Sequence, residues 1–170
     1  MTSSERESAS AQARTRMESR EVWQKADSIM LFAPLPEELD VWPLLNQALA
    51  DGKSAALPRF APPTGTYEAA LVRDLKQDLK PGRFGIHEPA GHCPRLSLNR
   101  LDLILVPGVG FDLRLSRLGR GKGFYDQMLA ETRGVKCGVA FDCQIVPEIP
   151  TSPHDIPVNC ILTPTRWIEL

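Results

Sequence analysis

Hydrophobic residues fall in short runs separated by proline and glycine, and the spacing within those runs alternates between strand-like and helix-like. The most apolar run, Leu101-Asp102-Leu103-Ile104-Leu105-Val106, is almost continuous and stops at Pro107-Gly108. Such a run predicts a strand of a parallel sheet buried on both faces. Shorter runs predict strands over 28–32, closed by Pro34 and Pro36; over 54–57, ended by Pro58-Arg59; over 67–72; over 137–141; and a last one over 158–162. Asp40 is placed to cap a helix with Pro43 in its first turn, apolar Leu44, Leu45, Ala48 and Leu49, and Gly52 just past its end. Another helix is predicted over 124–132. Residues 5–25 are mostly polar helix formers with Met17, Val22 and Trp23 as sparse apolar anchors, which predicts a helix at the periphery.

This order implies an α/β fold: a single domain with a mainly parallel central sheet flanked by helices. Residues 1–27 form a partly peripheral N-terminal helical segment and 28–170 form the α/β domain proper. Ligands of such sheets bind beyond the carboxyl ends of the strands. A glycine-rich connection lies in that position, after the 101–106 run.

The chain's 170 residues suffice for one compact domain, and a formal net charge of -1 supplies no global field toward nucleic acid or an anionic membrane. Any basic site must be local. The four cysteines, Cys93, Cys137, Cys143 and Cys160, form no C-x-x-C pair, which argues against a disulfide framework and a zinc ribbon, and for a reduced, cytoplasmic protein. No apolar stretch approaches the roughly 18 residues needed to span a bilayer. A monomer with small-molecule substrates, no nucleic acid and no membrane partner is expected.

In Gly119-Arg120-Gly121-Lys122-Gly123-Phe124-Tyr125-Asp126, alternate glycines remove Cβ atoms so that backbone N–H groups can turn toward an anion. Arg120 and Lys122 add charge, and the helix predicted to begin near Phe124 points its unpaired N–H groups at the same place. Phosphate is the natural occupant. Asp126, a hard oxygen ligand, can hold Mg²⁺ against phosphate oxygens. The loop is not a Walker A sequence, because Gly123 stands where a Ser or Thr hydroxyl would reach the metal, nor is it G-x-G-x-x-G. The residues alone reach only a phosphorylated ligand, with a flexible turn as the plainer reading.

The longer string from Leu105-Val106-Pro107-Gly108-Val109-Gly110-Phe111-Asp112 through Arg117-Leu118 to Asp126 resembles the 5-formyltetrahydrofolate cyclo-ligase family, also called methenyltetrahydrofolate synthetase. Further segments resemble it in the right order: 34–40, 56–59, Phe84-Gly85-Ile86-His87-Glu88-Pro89 and 153–158. The resemblance implies an ATP- and Mg²⁺-dependent ligase of one-carbon folate metabolism that converts 5-formyltetrahydrofolate to 5,10-methenyltetrahydrofolate. It also implies an architecture similar to that of sugar-phosphate isomerases and CoA-transferases, whose chemistry would not need ATP. Carried over, Arg117, Leu118, Gly119, Arg120, Gly121, Lys122, Gly123, Phe124 and Tyr125 contact ATP. Arg120 and Lys122 act catalytically on the transferring phosphoryl group, and Asp126 and Asp155 hold Mg²⁺. Ala33 and Glu38 bind the folate together with Arg120, Gly121, Lys122, Gly123 and Phe124, Glu38 accepting hydrogen bonds from pterin ring donors.

Family members usually begin with a basic K-x-x-L-R-type segment that contacts the nucleotide. Nothing here matches it, and the spacing of Arg14 and Arg16 does not replace it. The alternative reading is therefore a folate- or nucleotide-binding paralogue with lost or reduced turnover. Plainer roles stand beside the sharper ones. Glu38 can be a solvated helix lead-in and Asp155 an Asx-turn residue. Asp112 and Asp142 follow apparent strands and are reserve metal candidates that more simply satisfy local backbone. His87, His92 and Cys93 read as surface-loop residues rather than ligands, and Trp23, Trp42 and Trp167 as packing groups.

Overall fold

The computed structural model describes every residue from Met1 to Leu170. Its main sheet contains β1 (Ser28–Met30), β2 (Ser54–Ala61), β3 (Thr66–Val72), β4 (Arg95–Leu96), β5 (Leu103–Pro107), β6 (Val135–Val139), β7 (Cys160–Leu162) and β8 (Trp167–Glu169), in the spatial order β8-β7-β6-β5-β1-β2-β3-β4. The central run β7-β6-β5-β1-β2 is parallel, and the outer pairings β7–β8, β2–β3 and β3–β4 are antiparallel. The helices are α1 (Ser3–Glu18), α2 (Glu21–Lys25), α3 (Trp42–Ala50) and α4 (Phe124–Glu131), with a single turn at Leu75–Asp78.

The mainly parallel sheet follows from strands that are apolar on both faces. Along β5, Leu103 and Leu105 face one core while Ile104 and Val106 face the other, and all four are 0% exposed. Full burial of each such side chain contributes about 1.5–3 kcal/mol. One core is covered by α1, α2 and α3, whose Met17, Trp23, Leu44 and Leu45 pack against Ile29 and Leu57. On the other face, Met128 and Leu129 of α4 pack with Phe111 against Ile104, Val106 and Ile161.

The N-terminal segment is two helices broken at Ser19-Arg20, and Ala13, Met17 and Trp23 anchor it in the core. Asp40 does not occupy the cap position of α3, which falls at Val41; its Oδ1 instead accepts the Trp42 N–H at 3.0 Å.

Pro58 does not end β2. That strand continues to Ala61 and returns through a turn into β3, so strand and helix do not alternate strictly here. The physical reason lies in the pairing. β1 pairs only with Ser54, Ala55 and Ala56, so Pro58 lies beyond its neighbour's reach, where a missing N–H costs no ladder bond. Short strands at Leu79–Pro81, His87–Pro89 and β8 escape the hydrophobic pattern, and β8, not the 158–162 run, ends the sheet. Cys93 is buried rather than at the surface, its thiol donating to the Asp78 carbonyl at 3.5 Å.

Beyond Pro107 the chain forms a small sheet from Gly110–Asp112, Arg117–Leu118 and Ile145–Val146. Phe111 seats it on the main sheet. The ring is fully buried, and a Cβ at Gly138 of β6 would lie 2.5 Å from it, one at Gly108 2.8 Å. Gly138→Ala is therefore expected to destabilise the fold by about 1–3 kcal/mol through overpacking. Chemical denaturation checks this, and an unchanged midpoint would refute the close approach.

Candidate functional site

Strand order reverses between β1 and β5: the chain passes from β1 through α3 to β2 on one side, and from β5 to β6 and β7 on the other. A crevice opens at the carboxyl ends of such a pair. A cavity of about 690 Å³ lies there, a size suited to a small-molecule ligand. Phe32, Ala33, Leu35 and Glu38 line it from the segment after β1, Pro58 from β2, and Pro107, Gly108 and the whole of 117–126 from the β5 side. Asp155 reaches it from the segment before β7. The residues that the resemblance assigned to ATP, folate and Mg²⁺ thus all border one cavity, while the reserve candidates Asp112 and Asp142 do not.

The loop's geometry follows from its glycines. Gly121 and Gly123 have φ of +83° and +69°, a left-handed backbone that other residues adopt only with strain. Gly119 is closed in differently, since a Cβ there would lie 2.8 Å from Arg117 Nη1. Gly123 is the cap residue of α4 and offers no side chain to its first turn, leaving those N–H groups for an anion.

The cations hold different stations. The Arg117 side chain is only 6% exposed; its Nη2 lies 3.4 Å from Asp126 Oδ2 and its Nη1 donates to the Pro107 carbonyl at 3.3 Å. Arg120 reaches across the cavity to Glu37, at 3.0 Å, and Glu38, at 3.8 Å. Lys122 Nζ lies 4.1 Å from the centroid of the Phe84 ring. Glu38 Oε2 accepts the Leu35 N–H at 2.9 Å. Burial raises the Glu38 carboxyl above its ordinary range, against the Leu35 N–H and the Arg120 charge that pull it down. The Tyr125 phenol is likewise pushed up by burial, with the Glu38 charge adding to the effect.

Of the four aspartates named from the sequence, two face the cavity. Asp126 Oδ1 accepts the Ile156 N–H at 3.0 Å and Asp155 Oδ2 accepts the Ser152 N–H at 2.6 Å. Each carboxylate retains lone pairs, and Mg²⁺ is commonly held by one or two carboxylates plus substrate phosphates and water, so the chemistry of each suits such an ion. Asp112 is fully buried and accepts N–H groups of Arg114, Ser116 and Ile149, all at 2.9 Å. Asp142 binds the hydroxyls of Thr163 and Thr165, both at 2.6 Å. These two are structural ties.

Arg14 pairs with Glu18 and Arg16 donates to the Pro164 carbonyl, away from the cavity. Arg6, which the sequence did not single out, braces the segment after β1 by donating to the Glu38 carbonyl at 2.7 Å and the Leu35 carbonyl at 3.3 Å. None of the tryptophans lines the cavity, whereas Tyr67, Phe84, His87 and Glu88 do. The segment 84–89 carried a family-like pattern but no residue-level signal for those roles.

Fold and site together define an α/β protein with a ligand-sized cavity at the strand switch point, bordered by a glycine-rich loop that carries Arg120 and Lys122. Residues 1–164 match the 5-formyltetrahydrofolate cyclo-ligase family. The chain is 34% identical to the Escherichia coli (strain K12) 5-formyltetrahydrofolate cyclo-ligase, covering 99% of this chain and 95% of that protein. It is 31% identical to the Mus musculus enzyme of the same name, covering 82% and 74%. The NMR structure of Aquifex aeolicus 5,10-methenyltetrahydrofolate synthetase superposes with a TM-score of 0.89 at 32% identity, covering 99% of this chain and 84% of that one. A Mycoplasma pneumoniae synthetase of the same name shares the fold, with a TM-score of 0.74 at 20% identity, covering 96% and 90%. The chain belongs to the 5-formyltetrahydrofolate cyclo-ligase family and is an enzyme of the ligase class.

Asp112 gives the fold a pH signature. Burial by itself would raise its carboxyl, but the N–H groups of Ser116, Ile149 and Arg114 outweigh burial and hold it below its ordinary value. A depressed carboxyl stabilises the fold fully above its unfolded value of about 3.9, and that stabilisation is lost as pH falls through the lower folded value. Asp112→Asn should cost about 1–3 kcal/mol near neutral pH, and its stability should fall less steeply on acidification. Denaturation midpoints from about pH 2 to about pH 7 test this; an acid limb identical to wild type would remove Asp112 from that role.

Proposed function

We propose that this protein converts 5-formyltetrahydrofolate to 5,10-methenyltetrahydrofolate using ATP and Mg²⁺. The observation that carries the reading is a single cavity bordered on one side by the 117–126 anion loop and on the other by Glu38 and Ala33. ATP phosphates fit the loop's N–H groups, and the pterin fits the half-buried carboxylate of Glu38, whose lone pairs accept ring N–H bonds.

On this reading the formyl oxygen attacks the γ-phosphorus and ADP departs, leaving an iminophosphate. N10 then attacks the carbon, loses its proton, and inorganic phosphate leaves. Phosphoryl transfer of this kind asks the protein mainly for positioning and charge stabilisation. Arg120 and Lys122 supply charge beside the transferring group, and Arg117 holds the loop against Asp126. Mg²⁺ held by Asp126 and Asp155 would neutralise phosphate charge. The free cysteines support a reducing, cytoplasmic setting. Because the cavity is complete within one chain, a monomer suffices.

Purified protein given 5-formyltetrahydrofolate, ATP and Mg²⁺ should build the methenyl chromophore with one ADP per turnover, and chelation of the metal should stop it. Folate binding without ADP or methenyl product would show a paralogue that binds but does not turn over. Lys122→Ala is expected to lower kcat by about 100-fold or more, the scale for removing a group that stabilises transition-state charge. Asp126→Asn should also lower it and raise the Mg²⁺ requirement. Wild-type kcat in either variant at saturating substrates would refute the phosphate and metal assignments.

A further inference from the structure

A fourth carboxylate lines the cavity besides Glu38, Asp126 and Asp155. Glu88 lies on the short strand His87–Pro89, which pairs with Leu79–Pro81. It is only 7% exposed and lines the cavity. Among the cavity carboxylates, Glu38, Asp126 and Asp155 each accept a backbone N–H. Glu88 alone accepts none and pairs with no cation. Its oxygens are not sealed in the protein interior but are left without a protein partner at the cavity, where a bound ligand can engage them.

Its position is fixed rather than incidental. Gly82 lies flat against the side chain: a Cβ there would come within 2.4 Å of Glu88 Cγ and 2.6 Å of Cδ, so only glycine lets the backbone close over it. Tyr67 stands beside it and packs edge-on against Phe124, the first residue of α4, with centroids 5.0 Å apart. The phenol of Tyr67 is raised by burial and then by the Glu88 charge, with Arg83 opposing. An uncommitted carboxylate thus stands one aromatic ring away from the residue that opens the helix at the anion loop.

We propose that Glu88 is a catalytic carboxylate that takes the proton N10 surrenders as it closes the ring, a step that rests on the reaction assigned above. The N10 lone pair forms the new N10–C bond and the N10–H proton passes to Glu88. The C–O bond to phosphate breaks with its electron pair leaving on the phosphate, which accepts the proton as it departs. The product keeps the single positive charge shared by N5 and N10, and the Glu88 carboxylate is restored. Glu38, Asp126 and Asp155 are already engaged by the backbone, which leaves Glu88 as the carboxylate free for this step.

The test separates phosphoryl transfer from ring closure. Wild type and Glu88→Gln, a near-isosteric change that removes only the base, are mixed with 5-formyltetrahydrofolate and Mg·ATP, and ADP and methenyl chromophore are followed in a single turnover. Glu88→Gln should form ADP at a rate within a few-fold of wild type, while chromophore formation falls about 100-fold or more, as for loss of a general base. KM for the folate should change little. Calorimetric binding of 5-formyltetrahydrofolate by the variant reports an intact pocket. Chromophore formed at the wild-type rate, or ADP and chromophore slowed equally, overturns the role of Glu88. Absence of both products from wild type would instead overturn the reaction itself, and the proposal with it.

Discussion

The site depends on how the chain is seated after it leaves the buried strand β5. Strand pairing ends at Pro107, and from there to α4 the backbone has no place in the main sheet. Phe111 supplies the anchor. Its ring is pressed between the backbone of Gly138 in β6 and that of Gly108, neither of which leaves room for a Cβ. Asp112, the next residue, then collects three N–H groups and so ties the 113–116 turn to Ile149. Only with both residues fixed does the following stretch arrive at the cavity with its glycines facing inward.

A second tie sets the far end of the loop. Asp126 joins α4 to Arg117 at the loop's start and to Ile156 in the segment before β7, so one carboxylate holds three pieces of chain around the cavity. Removing Asp126 would leave the Arg117 guanidinium without its carboxylate partner. That side chain is only 6% exposed and its Nε is already unpartnered, so it has little else to turn to. Asp126 is thus a structural member of the site as well as a candidate metal ligand, and both demands bear on the same oxygens.

What the sequence made legible follows from the strength of the signal. The unbroken apolar run of β5 could only be a doubly buried strand, and the glycines of 119–123 mark a backbone that must approach something closely. Proline misled at position 58, because its effect on a strand depends on whether a neighbour needs that N–H, and β1 is too short to need it. The strands Leu79–Pro81 and His87–Pro89 left no trace because three residues of mixed polarity carry no period. Glu88 shares that fate. A lone glutamate before a proline has no distinguishing context until the hairpin turns it inward and Gly82 closes over it. Arg6 was equally hidden, since its partners are backbone carbonyls about 30 residues away.

The three cations around the cavity are held with unequal strength, and the inequality sorts their roles. Arg120 meets Glu37 between side chains that are 57% and 61% exposed, a pairing worth about 0–1 kcal/mol. Lys122 rests on the Phe84 ring, a contact worth about 0.5–1 kcal/mol at an exposed site. Either is given up readily for a polyphosphate, whose charge and oxygens offer several stronger bonds. Arg117 is not so free. It is packed beneath Tyr125 and bound to Asp126 and the Pro107 carbonyl, and it cannot swing out without giving up both contacts. The loop therefore combines one cation that holds its shape with two held only by weak contacts outside the loop, Arg120 to Glu37 and Lys122 to Phe84. On the proposed reaction, a nucleotide would draw both cations off these partners, and the charge met by the second substrate would change with it.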